Sequence, residues 1–137
     1  KGGHSPVMEV YDYAKQVEAK KGLVIMDTPG HDPSSVAAMV AGGAQVVVFS
    51  SGRGTPTGNP IAPVIKITGN RITYANMIDN IDVDASPLIY GGDLKEMGEE
   101  LLKLLVEVAS GKQTKAESLG YTEMAIARPS RAERTAW

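Results

Sequence analysis

The residues best suited to chemistry lie in one stretch, Ser50 to Pro60, which reads Ser-Ser-Gly-Arg-Gly-Thr-Pro-Thr-Gly-Asn-Pro. Its glycines allow a ligand to approach the backbone closely, and its prolines stiffen the chain. Hydrogen-bond donors stand on it at Arg53, Thr55, Thr57 and Asn59. The guanidinium of Arg53 can hold a carboxylate or a phosphate through two bonds. A long stretch without a helical pattern is typical of a binding loop, so we predict an anion site, although plain surface turns use the same residues.

A second group of polar residues, Asp27, His31 and Asp32, follows the apolar run 23–26. His31 is a candidate general base, because imidazole titrates near neutral pH. Asp27 and Asp32 are candidate metal ligands or orienting groups. Structural roles fit the same residues: His31 as a solvated turn residue, Asp32 as a helix cap and Asp27 as an Asx turn.

Apolar runs predict the elements that must position these residues. Residues 23–26, 46–49 and 64–67 read as short buried strands, and the Ser50 stretch joins the second strand to the third. Helices are predicted over about 6–20, from Pro33 to the glycine pair 42–43, over 71–78 and over 93–110. The acidic residues 79, 82 and 84 lack the pattern of a calcium loop and read as solvated turn acids.

This order of elements predicts an α/β layer fold with a mainly parallel sheet flanked by helices. Ligands collect at the carboxyl ends of the strands in such sheets. Segments 27–32, 50–59 and 68–70 leave strand carboxyl ends, so we expect His31 and Arg53 to face one rim. Parallel neighbours usually need a helical crossover, which residues 51–63 lack, so the two strands beside the loop could also be non-adjacent or antiparallel.

Composition excludes several classes of protein. A chain of 137 residues provides one domain, and a net charge of −2 without a basic run argues against nucleic-acid binding. The absence of cysteine excludes disulfides and thiolate metal sites. The absence of cysteine also fits the cytoplasm, where we expect the protein to be. No apolar run reaches the roughly 18 residues of a membrane span, so we expect it to be soluble. The chain does not begin with Met, and we interpret it as a piece of a longer one.

Four motifs resemble a known family. They are Lys1-Gly-Gly-His-Ser-Pro, Met26-Asp-Thr-Pro-Gly-His-Asp, Gly42-Gly-Ala-Gln and Gly52-Arg-Gly-Thr-Pro-Thr-Gly-Asn-Pro-Ile-Ala-Pro-Val-Ile-Lys-Ile. They resemble the C-terminal part of the altronate and galactarate dehydratases, a family that includes the catalytic subunit of a sulfolactate sulfo-lyase. The likeness covers a C-terminal domain over 1–119. Residues 120–137 read as a tail, mobile or packed on a partner, within which 121–126 are a candidate edge strand.

The resemblance implies a lyase that dehydrates a sugar acid to a 2-keto-3-deoxy acid. It also implies a divalent metal, Fe²⁺ with Mn²⁺ or Mg²⁺ as alternatives, and a variant Rossmann-like topology. Upstream domains of the same chain would complete the site, so the fragment alone would be inactive, and we expect a homo-oligomer.

The resemblance and the residue chemistry together suggest roles for the candidate residues. We predict that Arg53 pairs with the substrate carboxylate and that His31 moves a proton. Thr55, Thr57 and Asn59 would bond the substrate hydroxyls, and Asp27 and His31 would contact the metal. The alternative is a non-catalytic α/β module that binds an anion or docks a partner domain.

Overall fold

The computed structural model describes residues 3–19 and 21–127. The chain divides into two compact units, Lys1–Ala44 with Met124–Trp137 and Gln45–Glu123. Each unit has its own parallel strands and helices, which confirms the predicted α/β class. The strands form two small sheets, whereas the sequence was interpreted as one mainly parallel sheet. The Rossmann-like topology stays a prediction.

The first unit contains two strands and a helix. Strand β1 (Val7–Tyr11) pairs in parallel with β2 (Leu23–Met26), and helix α1 (Asp32–Ala41) follows. The prediction was correct for β2 and for the helix. However, His31 occupies the N-cap position, and Asp32 is the first helical residue rather than the cap. A carboxylate in the first turn still favours the helix, because the N-terminal end carries the positive pole of the dipole.

The helix predicted over 6–20 is wrong in the described part of that range. Val7–Tyr11 is a strand, and turns and irregular backbone follow it. Pairing with β2 supplies the hydrogen bonds that a helix would have made internally. The hydroxyl oxygen of Tyr11 then accepts hydrogen bonds from the backbone N–H groups of Glu18 and Ala19, each at 3.2 Å. The connection between the strands is therefore held by this side chain together with a bond from the N–H of Val17 to the carbonyl oxygen of Gly42 at 2.9 Å, instead of by a helix.

The second unit has a three-stranded parallel sheet with the order β3-β4-β5, formed by Val47–Ser50, Val64–Thr68 and Val83–Asp84. Its helices are α2 (Arg71–Asn76), α3 (Leu94–Ala109) and α4 (Lys115–Ser118), with a 3-10 helix at Ser86–Tyr90. Residues 51–63, the crossover loop, join β3 to its parallel neighbour β4 without a helix. This decides between the topologies left open by the sequence, and the carboxyl ends of β3 and β4 share an edge.

Helix α3 agrees with its prediction in length but not fully in burial. The Asp93 carboxylate accepts the backbone N–H groups of Lys95 and Glu96 and so caps the helix. Apolar residues recur at helical spacing along this helix and predict a core-facing stripe, formed by Leu94, Met97, Leu101, Leu104, Leu105 and Val108. Val108 is buried, whereas Leu94 is 74% exposed. The stripe is therefore core only towards its C-terminal end. No helix among the described residues combines the length and apolarity needed to cross a membrane.

Asp82 is a structural residue rather than a solvated turn acid. One oxygen of its carboxylate accepts the backbone N–H of Lys66 at 2.7 Å, and the other accepts that of Lys115 at 2.8 Å. Asp82 thereby connects the central strand β4 to the first turn of α4. This corrects the sequence interpretation for two of the three acids, since Asp84 lies in β5 and its carboxylate accepts the backbone N–H of Ser86 at 2.9 Å, whereas Asp79 is exposed.

The end of the described chain contains no strand, so the edge strand suggested for residues 121–126 is absent there. The backbone N–H of Ala127 donates to the Tyr13 hydroxyl oxygen at 3.1 Å. The remainder of the predicted tail, 128–137, lies outside the described residues.

Replacing Asp82 with alanine should lower the free energy of unfolding of the intact protein by about 2 kcal/mol or more. The reason is that the buried N–H of Lys66 loses a charged acceptor. Urea unfolding followed by circular dichroism measures the change. Asp79→Ala is the control and should shift the value by less than about 0.5 kcal/mol. Equal stability of the two variants would contradict the structural role of Asp82.

Candidate functional site

The first part of the crossover loop is bound to the carboxyl end of β4 and to the start of α2. The N–H of Ser51 donates to the carbonyl oxygen of Ile67 at 3.0 Å. The carbonyl oxygen of Gly52 accepts the side-chain amide of Asn70 at 3.3 Å and the hydroxyl of Thr73 at 2.9 Å. These bonds hold the backbone that leads to Arg53.

A cavity of about 430 Å³ lies at the carboxyl ends of β3 and β4. It is lined by Ser50, Ser51, Gly52, Ile67, Gly69, Asn70, Ala85 and Ile89. Two of the three segments predicted to share a rim, 50–59 and 68–70, therefore meet at this edge. Apolar walls with a few polar groups at one end are typical of small-ligand sites.

Arg53 is exposed and follows directly after the cavity-lining Gly52. Within the part of the chain that the structure describes, its guanidinium has no hydrogen-bond or ion-pair partner. The next residue, Gly54, has φ of 83°, and a Cβ there would collide with Sδ of Met77 and lie 2.9 Å from Cγ2 of Thr73. The loop backbone thus packs tightly against α2, while the neighbouring guanidinium is left available for an anion.

The second part of the loop is folded on itself. Thr55, Thr57 and Asn59 are 4%, 7% and 6% exposed. The hydroxyls of Thr55 and Thr57 are hydrogen-bonded to each other at 2.7 Å, and Oδ1 of Asn59 accepts two backbone N–H groups, those of Ile61 and Ala62. These side chains stabilise the loop itself. Their contacts with substrate hydroxyls stay a prediction, because these side chains would have to give up their hydrogen bonds within the loop to bind a substrate.

Lys66 lies beneath the loop, at the centre of β4, and is fully buried. Its amine donates to the carbonyl oxygen of Thr57 at 3.3 Å. Burial lowers the pKa of the Lys66 amine; the Asp82 carboxylate opposes this shift and the charge of Lys115 adds to it. Sequence reasoning missed both Lys66 and Asp82. The sequence did contain one indication of a buried lysine: Lys66 interrupts an apolar run that predicts a buried strand, and lysine is rarely buried without a partner.

In the first unit, Asp27 is exposed at the carboxyl end of β2. It borders a cavity of about 530 Å³ whose lining is Glu9, Val10, Tyr11, Asp12, Lys15, Ile25, Met26, Asp27 and Thr28. The Tyr11 hydroxyl donates to the Glu9 carboxylate, and this bond, with burial as the second cause, raises the pKa of Tyr11. Three carboxylates, one amine and two hydroxyls therefore line this cavity.

His31 is exposed at the N-cap of α1, and its Nδ1 lies 3.0 Å from the hydroxyl oxygen of the buried Ser34. This hydrogen bond fixes the ring. The tautomer with the proton on Nδ1 leaves the lone pair of Nε2 for proton transfer. His31 and Arg53 belong to different units, and their predicted meeting stays a prediction.

The predicted metal site is not complete in the described residues. No group of three or more His, Cys, Asp or Glu side chains is arranged there to hold a metal ion. Asp27 and His31 have suitable donor atoms, but two ligands do not make a site.

Gly54→Ala should lower the free energy of unfolding by about 1 to 3 kcal/mol, because an L-residue is strained at that φ and its Cβ meets Thr73. Gly52→Ala is the matched control, since a Cβ there meets nothing within 4 Å. Urea unfolding of the two variants of the intact protein measures the difference. A similar loss in both would show that the packing of Gly54 against α2 is unimportant.

The lowered pKa of Lys66 predicts a pH dependence of stability. Between this folded-state pKa and 10.5, the value for the unfolded chain, the unfolded state binds more protons, so the stability contributed by Lys66 rises with pH. Lys66→Met removes this titration. The free energy of unfolding of the variant minus that of the original protein should therefore fall as the pH rises towards 10.5. Urea unfolding over that range tests the sign, and a constant difference would contradict it.

The sequence matches the family described as D-galactarate/altronate dehydratase, C-terminal, over residues 1–132. It is 37% identical over 126 residues to altronate dehydratase of Escherichia coli (strain K12), covering 92% of this chain and 25% of the relative. It is 38% identical over 108 residues to the (2R)-sulfolactate sulfo-lyase subunit beta of Chromohalobacter salexigens, covering 78% and 28%. The match to galactarate dehydratase (L-threo-forming) of Escherichia coli is 33% over 132 residues, covering 94% and 25%.

The chain therefore spans about a quarter of the length of the curated relatives it matches. The resemblance carried by the Gly52-Arg-Gly-Thr-Pro-Thr-Gly-Asn-Pro motif is confirmed. Because the family match runs from residue 1 to residue 132, the chain belongs to the D-galactarate/altronate dehydratase family and corresponds to its C-terminal region.

Proposed function

We propose that this chain is the C-terminal part of a lyase that removes water from a sugar acid to give a 2-keto-3-deoxy acid, and that Arg53 binds the substrate carboxylate. The relatives named for altronate and galactarate act on acids, so a carboxylate is the group that their substrates share. The observation that carries the proposal is the unpaired, exposed guanidinium of Arg53 beside the carboxyl edge of a parallel sheet.

The surroundings of Arg53 support binding of a planar anion. The backbone on both sides is held, at Gly52 by two hydrogen bonds and at Gly54 by packing against α2. A loop that is already ordered loses little further entropy when it binds. A guanidinium can hold both oxygens of a carboxylate, which also fixes the orientation of the acid.

The reaction requires a base and a stabiliser of negative charge. The proton on the carbon next to the carboxylate passes to a base, and the electron pair left behind forms an enediolate with the carboxylate. The hydroxyl leaves the neighbouring carbon with a proton as water, and the enol product becomes the ketone. Arg53 would stabilise the enediolate because its charge lies where negative charge develops. His31, oriented by Ser34, is the group we assign to proton transfer.

A divalent cation, Fe²⁺ with Mn²⁺ or Mg²⁺ as alternatives, is part of the proposal. Such an ion would acidify the carbon-bound proton and help hydroxide to leave. Asp27 would supply one ligand, and His31 would supply a second only in place of its proton-transfer role, because Nδ1 is bonded to Ser34 and Nε2 has a single lone pair. The other ligands would come from beyond the described residues, which hold no complete set. We further propose that upstream domains of the same polypeptide complete the site, and that the protein is a cytoplasmic homo-oligomer.

Arg53→Ala in the intact protein should lower kcat/KM for altronate or galactarate at least about tenfold, the expected loss for a charge-assisted bidentate pair. The melting temperature should not change, because the side chain is exposed and unpaired. Arg53→Lys keeps the charge without the bidentate geometry, so its kcat/KM should lie between those of Arg53→Ala and the original protein. Arg71→Ala, which removes another exposed arginine of the same unit, separates local binding from net charge.

An unchanged kcat/KM in Arg53→Ala would show that Arg53 does not bind the substrate carboxylate.

Thermal shift measurements on the original protein and its Arg53 variants distinguish a lyase from a plain anion-binding module. Stabilisation by sugar acids that depends on Fe²⁺, Mn²⁺ or Mg²⁺ supports the lyase, whereas stabilisation by phosphate without metal supports the module.

A further inference from the structure

We propose that Lys66 is the positioning residue of the crossover loop: its buried amine holds the carbonyl oxygen of Thr57 and thereby fixes the loop that carries Arg53. Lys66 stands on the central strand β4 and is 0% exposed. The loop lies above it, and the amine reaches the loop backbone at 3.3 Å.

The chemistry of the position argues for a specific role of the amine. Burying an amine costs free energy, and an apolar side chain of similar length would fill the same space at lower cost. The neighbours of Lys66 on β4, Ile65 and Val64, are apolar and equally buried. The amine therefore contributes something that packing does not, and the contact it makes is a hydrogen bond to the loop.

Thr57 is bonded to another residue of the loop as well as to Lys66. Its hydroxyl is hydrogen-bonded to that of Thr55, and its N–H donates to the same Thr55 oxygen at 3.3 Å. The next residue, Gly58, packs so tightly that a Cβ there would collide with the carbonyl oxygen of Tyr121. Holding the carbonyl of Thr57 thus fixes a turn that begins at Thr55, two residues after Arg53.

The charges near the amine are those of Asp82 and Lys115. Asp82 favours the protonated amine, and Lys115 disfavours it. The Asp82 carboxylate is itself held by the backbone N–H groups of both lysines. The negative charge near the amine is therefore fixed to the same strand, β4, that carries Lys66.

Limited proteolysis measures the loop directly, because trypsin cuts after an exposed arginine. In the intact Lys66→Met protein, cleavage after Arg53 should rise at least about tenfold well below the melting temperature, since local opening controls cleavage. Cleavage after Lys112, an exposed residue outside the loop, serves as the internal reference and should change less than about twofold. Lys103→Met, at an exposed position of α3, should change neither rate.

Two results would overturn the inference. One is cleavage after Arg53 at the original rate. The other is a parallel rise after Arg53 and Lys112, which would indicate general destabilisation instead of a released loop. If Lys66→Met does not fold, ¹⁵N-lysine NMR of the unsubstituted protein provides the test. Slow solvent exchange of the Lys66 amine protons supports the bond, and exchange as fast as in the exposed lysines overturns it.

The effect on binding, unlike the loop order, rests on the proposed role of Arg53. Lys66→Met should then raise the Kd for the sugar acid at least about fivefold. A loop that becomes cleavable while the Kd stays unchanged would support the positioning role and overturn the carboxylate role of Arg53. If the Kd rises in Arg53→Ala but the loop of Lys66→Met stays protected from trypsin, the carboxylate role of Arg53 is supported and the positioning role of Lys66 is overturned.

Discussion

The non-helical crossover between β3 and β4 is the constraint on which the second unit depends. Parallel neighbours are usually joined through a helix, which satisfies its own backbone. The crossover loop has no such helix, yet Thr55, Thr57 and Asn59 within it are buried. Buried backbone groups need partners, so side chains must supply them. Asn70 and Thr73 hold the first part of the loop, Asn59 holds the last part, and Lys66 reaches the middle from below.

This constraint divides the polar residues of the loop into two groups. The short hydroxyl and amide side chains turn inward and bond the loop, and Gly54 and Gly58 allow its backbone to approach α2 and Tyr121. The guanidinium of Arg53 stays outside. A sequence that looks like a row of ligand donors therefore contains side chains that bond the loop itself, and one charged group on a held backbone that makes no such bond.

Sequence patterns predicted the elements whose patterns are local. The apolar runs at β2, β3 and β4 and the Asp93 cap of α3 lie where expected, whereas the N-cap of α1 is His31 instead of Asp32, and the loop motif identified the family. Residues 7–11 were misjudged because Val7, Val10 and Tyr11 fit a helical period, whereas pairing with β2 decides their conformation. Lys66 and Asp82 were missed for a related reason. Burial of a charge depends on strands and loops that are distant in sequence.

The two units solve the same connection problem in similar ways. In the first, the buried Tyr11 side chain of β1 accepts two N–H groups of the connection to β2. In the second, the buried Lys66 side chain of β4 donates to a carbonyl of the crossover loop. One long strand residue with a polar end thus replaces part of what a crossover helix would provide. Each unit also has a cavity at the carboxyl ends of its own strands, so a crossover held by side chains is compatible with an open carboxyl edge, where a ligand can approach.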